Sequence, residues 1–203
     1  MLKKRILLRL ALATLIGMPL VAIVVDRFSE TVNLQLAITS DGKYGEQLAA
    51  GAFAGVMIAV TAHMIIASPL LDSVNSSYAR MLGRFRLTFS EILLISLCAG
   101  VGEEMLFRGA VQPFLGIPVT SILFVAIHGY LNPRDWRISI YGLFMTAGIA
   151  WLGYLAESRG LLSAIAGHTI IDVYLLLYLQ RTAKSIPVTD NPDLVDFPEE
   201  ENQ

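Results

Sequence analysis

Apolar residues run in long blocks along this chain rather than alternating with polar ones. Residues 10 to 25 contain no Asp, Glu, Lys or Arg, and the block reaches back to Ile6 if Arg9 extends its head group toward the membrane surface. Residues 47 to 71 and 138 to 156 are charge-free over 25 and 19 positions. Three further apolar stretches, 88–108, 117–131 and 161–180, have helix length or nearly so, but polar groups interrupt them: Glu91, Glu103, Glu104, Arg108, His128, His168 and Asp172. Crossing a hydrocarbon core of about 30 Å takes about 20 apolar residues in a helix. The pattern therefore predicts an all-α fold, a polytopic membrane helical bundle of about six transmembrane helices.

Between these blocks, the segment from Asp72 to Arg86, with Ser73, Asn75, Ser76, Ser77 and three arginines, reads as a loop, and Asn132-Pro133-Arg134-Asp135 reads as a turn. Gly51 and Gly55 form a G-x-x-x-G spacing in the second helix, which fits close packing within the bundle. The predicted organisation is an N-terminal transmembrane hairpin with its following loop over 1–84, a helical core over 85–180, and an acidic tail read as disordered over 181–203.

Composition supports the membrane reading. The chain is 55% hydrophobic and 16% charged, against roughly 25% charged in soluble domains. Its formal net charge of −2 conceals a split. Residues 187–203 hold six acids and no Lys or Arg, which leaves 15 basic against 11 acidic side chains in the rest. No dense basic run exists beyond Lys3, Lys4 and Arg5, so nucleic acid is not an expected partner. That N-terminal cluster before an apolar run also has the charge order of a signal peptide, but no A-x-A-like site follows and the run is long enough to anchor.

Basic residues favour the cytoplasmic side. With the N-terminus inside, Lys3, Lys4, Arg5, Arg9, Arg80, Arg84, Arg86, Arg134, Arg137, Arg181 and Lys184 all fall on that side, 11 of the 15. The expected location is a bacterial plasma membrane with both termini cytoplasmic.

Ionisable residues inside apolar helices cost roughly 2.5–3.5 kcal/mol each on insertion scales unless they pair or face water, and so they mark function. Glu104 and Arg108 are four apart, on one helix face, and close enough to pair. Glu103 is rotated about 100° away and is left free to act as a base. Phe124 lies one turn before His128 on the same face, where it can fix the ring. His168 and Asp172 form another i, i+4 pair, in which Asp172 orients His168 or both address one ligand. Counting about 1.5 Å per residue from the helix ends predicts that these groups meet in the outer half of the bilayer, roughly 8–15 Å below its surface. His63 and the single thiol, Cys98, are expected to be structural. No H-E-x-x-H, G-x-S-x-G or phosphate-cradling glycine loop is present.

Taken in order, Glu103-Glu104-Met-Leu-Phe-Arg108, Phe124-Val-Ala-Ile-His128 and His168-Thr-Ile-Ile-Asp172 resemble the three motifs of the CAAX protease and bacteriocin-processing (CPBP, or Abi) intramembrane endopeptidases. The resemblance covers about residues 85 to 180. It implies that Glu103 and His128 activate a water for attack on a peptide carbonyl, that Glu104 and Arg108 form a structural pair, and that His168 and Asp172 stabilise the oxyanion. Many members carry Asn where this chain has Asp172, and an ionised carboxylate cannot donate to an oxyanion. Asp172 must then be protonated, orient His168, or join Glu103, His128 and His168 around a metal such as zinc. The family has been described both as glutamate-dependent, with no cofactor, and as metalloproteases; the resemblance favours the glutamate route.

The implied partners are the bilayer and a membrane-associated peptide or protein substrate, lipidated or exported; a site near the outer face favours the exported kind. Two other classes use similar residues. A proton- or ion-coupled transporter also places Glu, Arg, His and Asp in helices, and a non-catalytic immunity or partner protein could keep the same fold.

Overall fold

The structure, a computed structural model, describes residues 2–39 and 43–185. In chain order it contains α1 (Leu2–Phe28), the short α2 (Leu34–Thr39), α3 (Tyr44–Ile66), a 3₁₀ turn (Pro69–Leu71), α4 (Asp72–Gly83), α5 (Phe89–Leu106), a π-helical turn (Phe107–Val111), α6 (Gln112–Ile127), α7 (Trp136–Arg159) and α8 (Leu161–Ser185). No strand occurs among the described residues. The polytopic helical bundle read from the apolar blocks is the observed architecture.

Five helical stretches among the described residues are long and apolar enough to cross a membrane: Lys4–Phe28, Tyr44–Ile66, Phe89–Ile127, Trp136–Arg159 and Leu161–Ser185. Six were expected, and the difference lies in one element. The third stretch is 39 residues long, about 58 Å if straight and nearly twice the hydrocarbon core. It is not straight, because Gly116 has φ +71° and ψ 168° inside it. That backbone region is open essentially to glycine alone. Pro118 follows, where the next helical turn begins and its missing N–H costs no bond.

Cross-contacts show that the chain turns back at this point. Phe107 meets Phe124 with ring centroids 5.0 Å apart, and Glu103 meets His128. Both pairs are nearly symmetric about residues 115 and 116, as in an antiparallel hairpin. The two apolar stretches read from sequence as 88–108 and 117–131 are therefore the arms of this hairpin.

Local signals set the helix ends. Thr88 and Glu91 form a capping box at the start of α5. The Asp135 side chain accepts from the Arg137 and Ile138 N–H groups at the start of α7. The segment 72–86, expected as a loop, is mostly helical: α4 buries Val74, Asn75 and Ala79. Apart from Asn75, which donates to the Tyr178 hydroxyl, its polar residues occupy the other faces, an amphipathic pattern hidden by the high Ser and Asn content. At the C-terminus, residues 181–185 continue α8 rather than starting a tail, and the acidic residues from Asp190 onward lie outside the described residues.

Helices before residue 84 pack against those after it. Lys4 pairs with Glu91 at 2.7 Å, holding the start of α1 beside the start of α5. Gly51 lies against the Ser163 backbone and Gly55 against that of Gly167. A side chain at either glycine would overlap the backbone of α8, so the G-x-x-x-G spacing serves close packing within the bundle. The core is built from α3, α6, α7 and α8 and includes Ile58, Phe124, Ile149, Leu152 and Ile171. Large apolar side chains such as Ile16, Phe53, Met64 and Leu143 are exposed on the outside, as a lipid-facing bundle requires.

These contacts also define two ends. One holds the starts of α1 and α5, α4, and the end of α8, where Gln180 donates to the Leu82 carbonyl. Tyr78 of α4 packs against Tyr130, so the 128–135 connection lies at this end too. The opposite end holds the starts of α3 and α8, the end of α7 and the Gly116 turn. There Gln112 donates to the Gly153 carbonyl and to Glu157.

Candidate active site

Each motif residue is carried by one of three elements that meet inside the bundle. α5 carries Glu103 and Glu104, and the π turn that follows carries Arg108. Such π turns shift the register of side chains and recur at functional sites. His128 caps the end of α6. His168 and Asp172 project from α8, whose position beside α3 is fixed by the Gly55–Gly167 approach.

Glu104 and Arg108 are completely buried, with Nε 3.3 Å from Oε2, which is the ion pair expected from their spacing. The guanidinium carbon also lies 5.1 Å from the Phe124 ring centroid, within cation–π range. A second partner was not read from sequence. His168 donates from Nδ1 to Glu104 Oε1 at 2.8 Å. One buried carboxylate thus holds Arg108 on one oxygen and His168 on the other. The i, i+4 rule describes pairs within a helix, so it offered no signal for a bond from α5 to α8.

The Nδ1–Glu104 bond turns His168 Nε2 toward Asp172, whose Oδ2 is 3.6 Å away. That separation is too long for a direct hydrogen bond. It leaves Nε2 accessible to a third group.

Glu103 and His128 face each other, with Oε2 3.4 Å from Nε2. Glu103 Oε2 is buried and makes no hydrogen bond among the described residues. On its other side the His128 ring donates from Nδ1 to the Phe124 carbonyl at 2.7 Å. A carbonyl only accepts, so Nδ1 carries the proton and Nε2 presents a lone pair in the neutral ring. Phe124 stacks on His128 with centroids 4.5 Å apart and meets His168 edge-on at 5.6 Å. It is the shared wall between the two imidazoles.

His128 lies just past the apolar stretch that ends at Ile127. Burial alone pushes its imidazole down, but the interactions with Glu103 and with the Phe124 carbonyl outweigh burial and raise it above the usual histidine value.

Glu103, Phe124, His128, His168 and Asp172 all line one cavity of about 130 Å³. Its remaining wall is mostly apolar and contains two residues that sequence reasoning missed, Tyr130 and Tyr141. Both are separated from the motifs in sequence, although Tyr130 lies two residues after His128, close enough to have been a clue. Burial pushes the Tyr130 phenol above its ordinary value, so its hydroxyl stays protonated.

The cavity reaches the end of α6. Its most exposed member is His128, with 34% of the side chain accessible. His128 leads into the 128–135 connection, at the end that holds the start of α1.

Among the described residues, no three or more His, Cys, Asp or Glu side chains come together as a metal site requires. His168 Nδ1 is held by Glu104 and His128 Nδ1 by a backbone carbonyl, which leaves the Nε2 atom of each ring for other partners.

The two structural expectations were met. His63 bonds the Tyr174 hydroxyl through Nδ1 at 2.8 Å and packs on Tyr178, and Cys98 is buried.

Residues 85–174 match the family model described as type II CAAX prenyl endopeptidase Rce1-like. The chain is also 36% identical over 83 residues to the uncharacterized protein YpbD of Bacillus subtilis strain 168, a stretch covering 40% of this chain and 41% of that protein. No solved structure matches. The matched range contains all three motifs, those of Glu103, His128 and His168, so over residues 85–174 this integral membrane protein is similar to the type II CAAX prenyl endopeptidase Rce1-like family.

Proposed function

We propose that this protein is an intramembrane endopeptidase that hydrolyses a peptide bond in a membrane-associated substrate by a glutamate-dependent route. The observation that carries the proposal is the Glu103–His128 pair across a cavity whose other wall is His168 and Asp172.

The 3.4 Å gap and the unpartnered Glu103 Oε2 suit a water held between a carboxylate and the lone pair of His128 Nε2. Glu103 takes the water proton as the oxygen attacks the peptide carbonyl carbon. The oxyanion that forms faces His168 Nε2, which donates when protonated; Glu104 and Asp172 flank that charge. The proton held by Glu103 passes to the leaving amine as the C–N bond breaks. Asp172 thereby serves as the partner of His168, which answers how an acid works where an amide is common.

The cavity opens at the end that holds the start of α1. By the distribution of basic residues this is the cytoplasmic face of a bacterial plasma membrane. A substrate presented from the cytoplasmic side, lipidated or membrane-anchored, then suits the site better than the exported peptide suggested by the depth count.

The test is cleavage of fluorogenic lipidated and unlipidated peptides by the purified full chain, with and without chelator, alongside Glu103→Gln. Cleavage that survives chelation and disappears in Glu103→Gln supports the proposal. Full cleavage by Glu103→Gln overturns it, and loss on chelation with rescue by zinc overturns the glutamate route.

A further inference from the structure

The 128–135 connection brings a side chain from outside the three motifs to the reacting groups. α6 ends in a Schellman motif, in which the Gly129 N–H donates to the Ala126 carbonyl at 2.9 Å and the Tyr130 N–H to the Val125 carbonyl at 3.3 Å. Gly129 takes φ +79°, the left-handed conformation that this motif asks of its glycine. The chain therefore folds back over the last turn of α6. The Tyr130 ring comes to lie 8° from parallel to that of His128, with centroids 6.4 Å apart.

The ring and its backbone are both held. Tyr141 of α7 meets the ring edge-on at 5.4 Å, and Tyr78 of α4 packs on it at 6.1 Å. The Tyr130 carbonyl lies against Gly142, where a side chain would overlap it. Ser139 Oγ accepts from the Asn132 N–H and donates to the Asn132 carbonyl, which ties the connection to α7 a second time. The hydroxyl, by contrast, makes no hydrogen bond to a described residue. Tyr130 lines the cavity together with Glu103, His128, His168 and Asp172. Burial, then Tyr78, Asp172 and Glu103 keep the phenol above its ordinary value. It is thus a protonated donor that feels the carboxylates of two different helices, Glu103 on α5 and Asp172 on α8.

Hydrolysis by the glutamate route needs donors aimed at the oxygen of the attacked carbonyl, and His168 Nε2 supplies one. Asp172, where an amide is common, cannot supply another while it is ionised. We propose that the Tyr130 hydroxyl is the second donor, which holds the oxygen of the scissile carbonyl and then the oxyanion alongside His168 Nε2. The phenol gives up no proton; its hydrogen bond strengthens as negative charge grows on the oxygen and relaxes when the carbonyl re-forms. The role presupposes the endopeptidase activity proposed for this site and adds a residue to it.

Tyr130→Phe keeps the ring and removes a hydroxyl that has no described partner to lose, so the melting temperature should not change. In the peptide-cleavage assay kcat should fall by about 10²–10³ with KM nearly constant. The fall should be the same at every pH, and the pH midpoint of kcat/KM should stay in place. A lipidated peptide with a phosphinate in place of the scissile amide mimics the tetrahedral oxyanion and gives a readout without turnover. In a Glu103→Gln background, Tyr130→Phe should weaken its binding by a similar factor and leave binding of the intact peptide unchanged. Tyr78→Phe, which removes a hydroxyl outside the cavity, should behave as the unsubstituted protein does. Unchanged cleavage and phosphinate affinity in Tyr130→Phe overturn the assignment. So does an equal loss of affinity for both peptides, or a shifted pH midpoint, which would make Tyr130 a support for His128. If Glu103→Gln abolishes cleavage in the same assay, the endopeptidase reading survives any of these outcomes; full cleavage by Glu103→Gln removes both.

Discussion

Glu104 and His168, from two different helices, are joined by a 2.8 Å bond between Oε1 and Nδ1, and the second oxygen of the same carboxylate faces Arg108. Arg108 makes no hydrogen bond of good geometry to any described residue, so its buried charge depends on this carboxylate. Removing one member of a buried pair leaves the other uncompensated, at a cost of about 3–5 kcal/mol. Glu104→Ala should therefore lower the melting temperature strongly and abolish cleavage. The double variant Glu104→Leu with Arg108→Met removes both charges and should recover much of the stability without recovering activity. Unchanged thermal stability in Glu104→Ala would show that the pair contributes nothing to the fold.

Glu103 is a different kind of residue. Its Oε2 has no hydrogen-bond partner to lose, and His128 is partly exposed. Glu103→Gln and His128→Ala should each lower kcat by about 10²–10⁴ while changing the melting temperature little. A large stability loss in either, equal to that in Glu104→Ala, would assign these residues to structure instead.

The pH dependence follows from His128. Burial pulls its imidazole down, but Glu103 and the Phe124 carbonyl outweigh that effect and raise it above its ordinary value of 6.5. A raised value means that the protonated form stabilises the fold, fully so below the unfolded-state value, and that this contribution fades as pH rises through the folded-state value. Activity runs the other way. Protonated Nε2 pairs with Glu103 and no longer accepts from water, so kcat/KM should rise with pH across a midpoint above 6.5. A midpoint that does not move in Glu103→Gln, measured with whatever residual activity remains, would contradict this origin.

Much of the bundle was legible in the sequence because lipid demands long apolar helices with satisfied backbones. The pairing of Glu104 with Arg108 and the stacking of Phe124 on His128 were legible because both are local, at i, i+4 spacing. The Glu104–His168 bond joins positions 64 residues apart, and nothing local encodes it. The mouth of the cavity was not legible for a similar reason. It depends on where α6 stops, and the apolar run continues to Leu131 although the helix ends at Ile127. Tyr130, in that connection, and Tyr141, on α7, reach the cavity from outside the motifs. α4 was hidden because Ser and Asn read locally as loop formers, while packing against α8 made the segment helical.

The close approach of α3 to α8 offers a test at a distance from the chemistry. Gly55 lies against the Gly167 backbone, one residue before His168. Gly55→Leu forces the two helices apart, at about 1–3 kcal/mol for overpacking. It should also shift His168 from Glu104, lowering kcat without touching Glu103 or His128. Gly17, which has open space around it, is the control position: Gly17→Leu should leave both stability and kcat close to those of the unsubstituted protein.

The hairpin at Gly116 sets the register of Glu103 against His128. With φ +71° and ψ 168°, this position is strained for any residue with a Cβ, although the nearest atom to such a Cβ, on Pro118, is at an ordinary 3.9 Å. The cost of Gly116→Ala is therefore conformational, about 1–3 kcal/mol. It can be relieved by letting the turn open, which draws the α6 arm away from α5. Opening should lower kcat far more than the stability change alone accounts for, because the water between Glu103 and His128 needs both arms in register. Cross-linking can read the register directly. In a Cys98→Ala background the protein has no other thiol, and Phe107→Cys with Phe124→Cys places one on each arm where the two rings now meet at 5.0 Å. Rapid linking by a short bifunctional thiol reagent is expected while Gly116 is retained, and slow linking once Gly116→Ala is added. Equal rates, together with intact kcat in Gly116→Ala alone, would mean that the turn tolerates a side chain and does not hold the register.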